Sequence, residues 1–582
     1  MISKIASAIT ILGFLPAAQA ATPDQIRESA NKAVQRMENS MAYLTPKVPC
    51  ASCHHGMLPL WTLGIARDHG VTVNETLRQN LAVRTYSSLR NVDAAIQGTH
   101  VVDATVDVSE ALAFAREVGV APSVTTALYA RRLANFQQAD GHWKTLDARP
   151  PQSYSPFMVT AMTGRTVAAF LPESEADEKF ERLNRARQWF VSTQPVSTED
   201  ATFRVLGLAW IGGTRQEIHA AAKDLATRQN QDGGFSPMPG RPSDAYSTGE
   251  ALFALKSTGF ARDEVYTRGV DFLLRTQLED GTWLVKTRLH EVAQISPPKM
   301  DTGFPHGNDQ ITSMFGTTWA VAALSLALPE QKQLVAEITK VRPEAEPWVE
   351  IAAFGTPEQM KTIDPNAHTQ RGSTALMVAA ADPERATMLI QNGADIKAVA
   401  ASGQTALSIA ASYRGTSGLV RQLIQAGVPV TPDHKVEFNA NPLVEVAWTG
   451  DVEVARALLD AGADMHQVMN RAGFFPMTPI RAAVILNTPE ILREYLQRGA
   501  DPNMVEDIPM LSWAAISNRP EVAKVLIEAG ADPTLRDHYG WTPLQHSHGV
   551  DHDVNQTESL IEAAIYQTTA KTASHEATLR VE

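Results

Sequence analysis

The sequence predicts an all-α chain in two parts, each a stack of helical repeats with its own period. Thr-Pro-Leu-like triplets recur about every 33 residues in the C-terminal part, and a Gln–acidic–Gly–aromatic signature recurs about every 47 in the N-terminal part. The 582 residues also exceed one module at roughly 150 residues per domain. With 44% apolar and 20% charged residues the chain is a folded globular protein. A formal net charge of −13 argues against nucleic-acid binding through a basic field and against attachment to anionic lipid. Two cysteines cannot build a disulfide framework.

In chain order, the first element is an address. Lys4 gives a positive start, Ile5 to Leu15 is an apolar run, and Pro16 precedes Ala18-Gln19-Ala20, the small-x-small pattern of a signal peptidase site. The run is shorter than the ~20 residues of a bilayer span, and no later stretch approaches that length without charges. Residues 1–20 are expected to be a signal peptide, and the protein to be exported and soluble, in a bacterial periplasm.

Both cysteines lie in Cys50-Ala51-Ser52-Cys53-His54-His55. Cys-x-x-Cys-His is the attachment sequence of c-type haem: two thiols add to the vinyl groups of one porphyrin, and the next imidazole reaches the iron. The expected roles are Cys50 and Cys53 as covalent anchors and His54 as proximal iron ligand. The resemblance to cytochrome c covers these five residues alone. A local Cys50–Cys53 disulfide, a zinc site of Cys50, Cys53 and His54 or His55, and a thioredoxin-type exchange pair stay open. Met57 and His55 are too near in sequence to swing across the ring as sixth ligand. His100, His290, Met300 and His306 are the candidates, each reading more readily as an ordinary structural or surface residue. A filled distal position favours electron transfer, an open one small-molecule or peroxide chemistry.

The N-terminal signature appears as Gln137-Gln138-Ala139-Asp140-Gly141-His142-Trp143, Gln229-Asn230-Gln231-Asp232-Gly233-Gly234-Phe235 and Gln277-Leu278-Glu279-Asp280-Gly281-Thr282-Trp283, with a degenerate copy from Ala186 to Gln194. Asp-Gly turns the chain sharply at a helix end, the aromatic folds back on that helix, and Gln bonds freed backbone groups. These are structural staples. Asp244 to Leu255 and Phe315 to Leu324, rich in small and aromatic residues, read as inner helices facing a central cavity. The arrangement resembles the α/α toroid of the prenyltransferase and squalene-cyclase superfamily and its QW repeats, over about residues 55–330. Its chemistry does not carry over. There is no Asp-x-Asp-Asp acid motif, no Asp-Asp-x-x-Asp diphosphate site, and no cysteine where the prenyltransferase zinc site needs one. Tyr246, Trp283, Phe304, Phe315 and Trp319 are candidates to line a pocket for a hydrophobic small molecule, a lipid or terpenoid; the same rings also read as core. In the loop from Asp301 to Gln310, His306 with Asp301 and Asp309 is a candidate acid–base or metal cluster, or a turn that caps its neighbours.

Residues 331–347, with Arg342-Pro343-Glu344-Ala345-Glu346-Pro347, read as a linker. Beyond it the triplets at Thr374, Thr405, Asn441, Thr478, Pro509 and Thr542 stand 31, 36, 37, 31 and 33 residues apart. Each opens a short Ala-rich helix, and a second helix ends at Gly393, Gly427, Gly462, Gly499 or Gly530. Thr or Asn can cap, Pro suits the first turn, and Gly takes the left-handed closing position. The pattern resembles the ankyrin repeat over residues 348–570, with Gln545 where the usual His would stand and 571–582 as a tail. The resemblance implies a concave face for a protein partner, or a stack that shields the rest of the chain. His546, His548 and His552 with Asp551 and Asp553 suggest a metal site less readily than a solvated loop.

The expected architecture is thus a toroid domain at 21–330 followed by an ankyrin solenoid. The expected function is an exported haem-c redox protein docking a partner, a redox partner included. A non-catalytic scaffold with a Cys50–Cys53 disulfide, and a lipid- or terpenoid-binding toroid, are the alternatives. No residue is assigned a catalytic role.

Overall fold

The structure, a computed structural model, describes residues 21–47, 53–98, 105–145, 154–260, 263–288, 301–431, 441–471, 475–548 and 555–579. Among the described residues the regular elements are helices, joined by turns and loops, apart from two short antiparallel ribbons, Met469–Arg471 with Phe475–Met477 and Val505–Glu506 with Ile508–Pro509.

In the N-terminal part, six helices make a circuit of inner contacts. Pro156–Phe170 packs on Val106–Ala113 and on Thr198–Trp210, which packs on Ala245–Ser257, which packs on Gln310–Ser325, which returns to Leu58–Asp68. The turn Cys53–Met57 and the short helix Ala115–Val118 bridge Leu58–Asp68 back to Val106–Ala113, closing the circuit. Pro23–Leu44, Val124–Asn135, Ala176–Ser192, Arg215–Thr227 and Asp263–Thr276 pack outside it. Sequence explains the layering. Ala245 to Leu255 and Thr312 to Ser325 are buried without interruption, and a helix apolar or small all round can live only inside. Asp263–Thr276 and Ala176–Ser192 bury one stripe each and leave the other in water.

The three staples are chemically the same. The Gln137 carboxamide donates to the carbonyls of Gly141 and Arg182, both at 2.8 Å. Gln229 repeats this with Gly233 (2.8 Å) and Val265 (2.7 Å), and Gln277 with Gly281 (2.9 Å) and Ser29 (3.0 Å). Each amide therefore ties its own turn to the next outer helix, and the third reaches the first helix of the chain. The aromatics fold back as expected: the Trp283 indole donates to Leu273 O at 2.8 Å, and Trp143 to Leu133 O at 2.5 Å. Gly141, Gly233 and Gly281 have φ of +107°, +90° and +87°, and a Cβ there would strike the backbone of the next outer helix.

In the C-terminal part, helix pairs stack from Pro347–Phe354 onward, first helix on first helix and second on second. Thr374, Thr405, Thr478 and Thr542 accept a backbone N–H through their hydroxyls, and Asn441 through its side-chain oxygen. Gly393, Gly427, Gly462, Gly499 and Gly530 all close their helices at positive φ. Gln545, in the place of the usual His, accepts from Thr542 N at 2.9 Å and completes a capping box. The linker is not a loose tether. Gln331 N donates to Asp68 O, Ile338 N to Gly119 O and Glu344 N to Arg90 O, which lays it along the ring.

Replacing Gln277 with Ala removes the donor shared by Ser29 and Gly281, and should lower stability by about 1–3 kcal/mol. Denaturant unfolding followed by circular dichroism measures this; an unchanged midpoint would mean that the staple does not hold the circuit shut.

Candidate functional site

Three places bear on function: the centre of the ring, the cysteine segment with the 301–310 loop, and the seam between the two stacks, which the sequence does not single out.

A narrow cavity lies among the inner helices. Phe114, Phe203, Phe315 and Trp319 form its aromatic wall, and Met57, Met158 and Met162 contribute flexible thioethers. Glu110 and Tyr246 are its polar lining. As it stands it has room for about two water molecules. Of the five aromatics expected there, Tyr246, Phe315 and Trp319 line it. Trp283 is committed to its staple, and Phe304 packs near His306.

Behind Tyr246 lie two glutamates. The Tyr246 hydroxyl donates to Glu199 Oε1 at 3.3 Å, and Glu250 stands one helical turn beyond Tyr246. Glu199 and Glu250 are 3% and 0% exposed. Burial, and next the field of Asp200, raises the Glu199 pKa well above the carboxylate range; burial, and next the field of Glu199, does the same for Glu250. Sequence reading missed both. Glu199 sits beside Asp200 in a first helical turn, where acidic residues are ordinary caps. Glu250 left a visible signal, a lone charge in the run from Tyr246 to Phe253.

Cys50, His100, His290, Met300, Asp551, His552 and Asp553 lie outside the described residues, as do the side chains of Cys53 and His54. The backbone from Cys53 to Met57 is a single π-helical turn entering Leu58–Asp68. Within it His55 is fully buried, its Nε2 2.8 Å from Ser40 Oγ. Ser40 directs its own proton to Thr302 O (2.8 Å), so the imidazole is the donor in that pair. His306, Asp301 and Asp309 are not gathered into a cluster. His306 Nε2 contacts Thr282 Oγ1 at 2.8 Å, Asp309 pairs with Lys286 at 2.8 Å, and Asp301 accepts from the Tyr43 hydroxyl at 2.5 Å. Nor do His306 and Asp309 cap: both stand at N-cap positions and make no side-chain cap bond there. His546 pairs with Asp537 at 2.7 Å and His548 with Glu558 at 3.2 Å. Among the described residues no group of three His, Cys, Asp or Glu is placed to hold a metal ion, and no helix is long and apolar enough to cross a membrane.

The seam between the stacks leaves no local trace in the sequence. Residues of the ring meet successive repeat units of the stack, at or beside the ends of their helices for the most part. Arg131 donates to Ala353 O (3.0 Å) and Val378 O (2.9 Å). Gln97 reaches Ser373 at 2.6 Å, and Asn135 donates to Ser412 O at 2.8 Å. Arg132 pairs with Glu445 at 3.2 Å, the two side chains 4% and 1% exposed. Lys144 donates to Asn487 O at 3.1 Å, and Arg519 donates back to Thr145 O. Phe136 and Trp448 pack ring on ring, 5.6 Å between centroids. Gly98, at φ +64°, lets the Arg132 guanidinium lie where any Cβ would collide with it.

Lys144 is the seam's titratable group near neutrality. Burial, then the nearby Arg519 and Arg414, lowers its pKa to about 7, against the opposing pull of Glu490 and Glu521. An unfolded lysine keeps its proton to about pH 10.4. Between those values the unfolded state binds more protons, so this group makes stability rise with pH from about 7 to 10; below 7 both states are protonated and its penalty is constant. Lys144→Met should flatten that rise relative to the parent chain, measured by denaturant unfolding at pH 7 and pH 9.5; parallel pH dependence in both would show that Lys144 titrates normally.

A family model of ankyrin repeats in three copies matches residues 376–469 and again 443–537. No curated protein matches the chain. Among solved structures, the human ASB11 ankyrin repeat domain is 21% identical with a TM-score of 0.33, covering 38% of this chain and 98% of that one. The ankyrin repeat domain of Bcl-3, a unique member of the IkappaB protein family, is 22% identical with a TM-score of 0.30, covering 38% and 99%. Residues 376–537 are ankyrin repeats, a protein-interaction module.

Proposed function

We propose that the first partner of this ankyrin module is the chain's own helical ring, and that the pair works as one rigid carrier for the cysteine segment and the cavity. The buried Arg132–Glu445 pair carries this reading. A fully desolvated ion pair across a seam, set in an ordered run of contacts over successive repeat units, belongs to a fixed interface rather than a transient one. The ring is, on this reading, an α/α toroid of the prenyltransferase and squalene-cyclase kind; the repeated staples and the circuit of inner helices support it. A further protein, a redox partner among the candidates, would then dock on surface the ring leaves uncovered.

Either single reversal, Arg132→Glu or Glu445→Arg, should cost about 3–5 kcal/mol and open the seam to proteolysis, while the double reversal recovers most of the loss. Unfolding midpoints and limited proteolysis of the four proteins decide it. Singles that behave like the parent chain would refute docking in cis through this pair.

The cysteine segment is assigned, as part of the same proposal, to covalent haem in an exported protein. Two thiols and an imidazole within five residues are the donor set that c-type attachment requires, and Cys50 and Cys53 would hold the macrocycle with His54 on the iron. Bound haem would supply one-electron transfer at that edge of the ring. A local Cys50–Cys53 disulfide in a non-catalytic scaffold is the competing reading. Protein exported with the haem-maturation machinery should gain the mass of one haem and show sharp reduced bands, altered in His54→Ala. The apoprotein mass less two hydrogens, without visible absorbance, would establish the disulfide instead.

A further inference from the structure

The acidic groups at the ring's centre fall into two kinds. Asp200 and Asp244 have partners: Asp200 accepts from the Ser155 hydroxyl (2.6 Å) and from the amides of Val196 (3.1 Å) and Ser197 (3.0 Å), and Asp244 from Ser247 N (2.7 Å). They are helix caps. Among the described residues, both oxygens of Glu250 and Oε2 of Glu199 have no hydrogen-bond partner, though all three atoms are cut off from solvent. A buried carboxyl oxygen without a partner carries its full desolvation penalty, and native interiors hold few of them. Such a pair is explained when something else supplies the missing positive charge.

Placement says where that charge would sit. Tyr246, Glu250 and Phe253 recur at four and three residues along one helix, so they share a stripe. Tyr246 lines the cavity, and Phe253 packs on Trp319, which lines it too, 5.7 Å between centroids. Glu250 thus stands on its helix between Tyr246, which lines the cavity beside Glu110, and Phe253, which backs the lining residue Trp319. The groups whose fields reach the pair are Glu110, Asp200, Asp244, Tyr246 and Arg288. Within that set one guanidinium faces five carboxyls, and it also lies over the Tyr154 ring at 5.2 Å. The rest of the cavity lining is largely aromatic, with π-faces that attract a cation.

We propose that this cavity binds a small organic cation of the alkylammonium class, its charged head on Glu250 and Glu199 and its apolar body among Phe114, Phe203, Phe315 and Trp319. The aromatic wall favours an organic cation over a divalent metal, as does the lack, among the described residues, of a three-ligand metal group. Rotation of Met57, Met158 and Met162 is the means of enlarging the cavity for the body of the ligand. Without the ligand a proton stabilises the pair; the ammonium replaces it, so binding releases a proton and tightens as pH rises while the amine stays charged.

The test is calorimetric titration of the full chain with n-butylammonium and with n-butanol, its uncharged counterpart, in two buffers of different ionisation enthalpy. Butylammonium should bind at least about tenfold tighter than butanol, with release of about one proton per amine. Glu250→Gln and Glu199→Gln should each weaken it about tenfold or more while leaving butanol unchanged. Should either variant fail to fold, infrared spectroscopy of the parent chain decides: the protonated-carboxyl stretch should fade as butylammonium is added. Equal affinity for amine and alcohol, no amine binding, or a carboxyl stretch indifferent to the amine would overturn the proposal. So would tighter binding of manganese or calcium that excludes butylammonium.

Discussion

Two inner helices of the ring come into direct backbone contact at Gly249. A Cβ there would come within 2.5 Å of the Trp319 carbonyl carbon and 2.6 Å of Ala320 N. Ala245–Ser257 and Gln310–Ser325 are therefore in backbone contact, and a helix packed that tightly has one permissible rotation about its axis. That rotation fixes the neighbouring positions. Tyr246 reaches Glu199, Glu250 is sealed from solvent, and Phe253 turns onto Trp61 and Trp319. On the partner helix Gly316 answers Gly249, a Cβ there meeting Val285. The acidic pair and the aromatic wall follow from one seam between two glycine-bearing helices.

The staples solve a different problem, the edges of the ring. A sharp turn at the end of a buried helix exposes carbonyls with no water at hand, and the glutamine amide supplies two N–H groups to two of them at once. Gln137, Gln229 and Gln277 each use one donor locally and one on the following outer helix. Local order and tertiary order come from the same side chain. The ankyrin seam follows the opposite rule, because there side chains, three arginines among them, reach across to carbonyls and carboxylates on another module. Arg131, Arg132 and Arg519 bring stems long enough to span two helix surfaces and heads that stay charged, which makes the seam directional along the stack.

Periodicity makes the helical stacks legible in the sequence, since glycine, proline and threonine act within a few residues of themselves. Thr374 caps its own helix and Gly393 closes the next with no reference to anything distant. The staples are legible for the same reason, down to the role of glutamine. What sequence does not disclose is what depends on distance in space. Glu199 and Tyr246 are 47 residues apart, and Arg132 and Glu445 are 313 apart. Asp200 and Glu199, adjacent in the chain, have opposite fates: one caps a helix and the other faces inward, a difference set by which side of a first turn meets the ring's interior. The 301–310 loop misleads in the other direction. His306, Asp301 and Asp309 look like a constellation in the sequence, yet Thr282, Tyr43 and Lys286 claim them one by one.

One turn of backbone joins two of the chain's features. Cys53–Met57 ends in Met57, whose side chain is part of the cavity wall, and it contains His55, whose imidazole is locked to Ser40 and through it to Thr302. Any group fastened at Cys53 is fastened to the element that shapes one side of the cavity. His55 holds that element against Pro23–Leu44, the same helix to which Gln277 closes the ring. The cysteine segment and the cavity are therefore separated by a single π-helical turn that ends in the lining residue Met57. The buried acids lie farther off, on helices whose position Gly249 sets. The cavity thus has one wall tied to the cysteine segment and another that the glycine seam holds still.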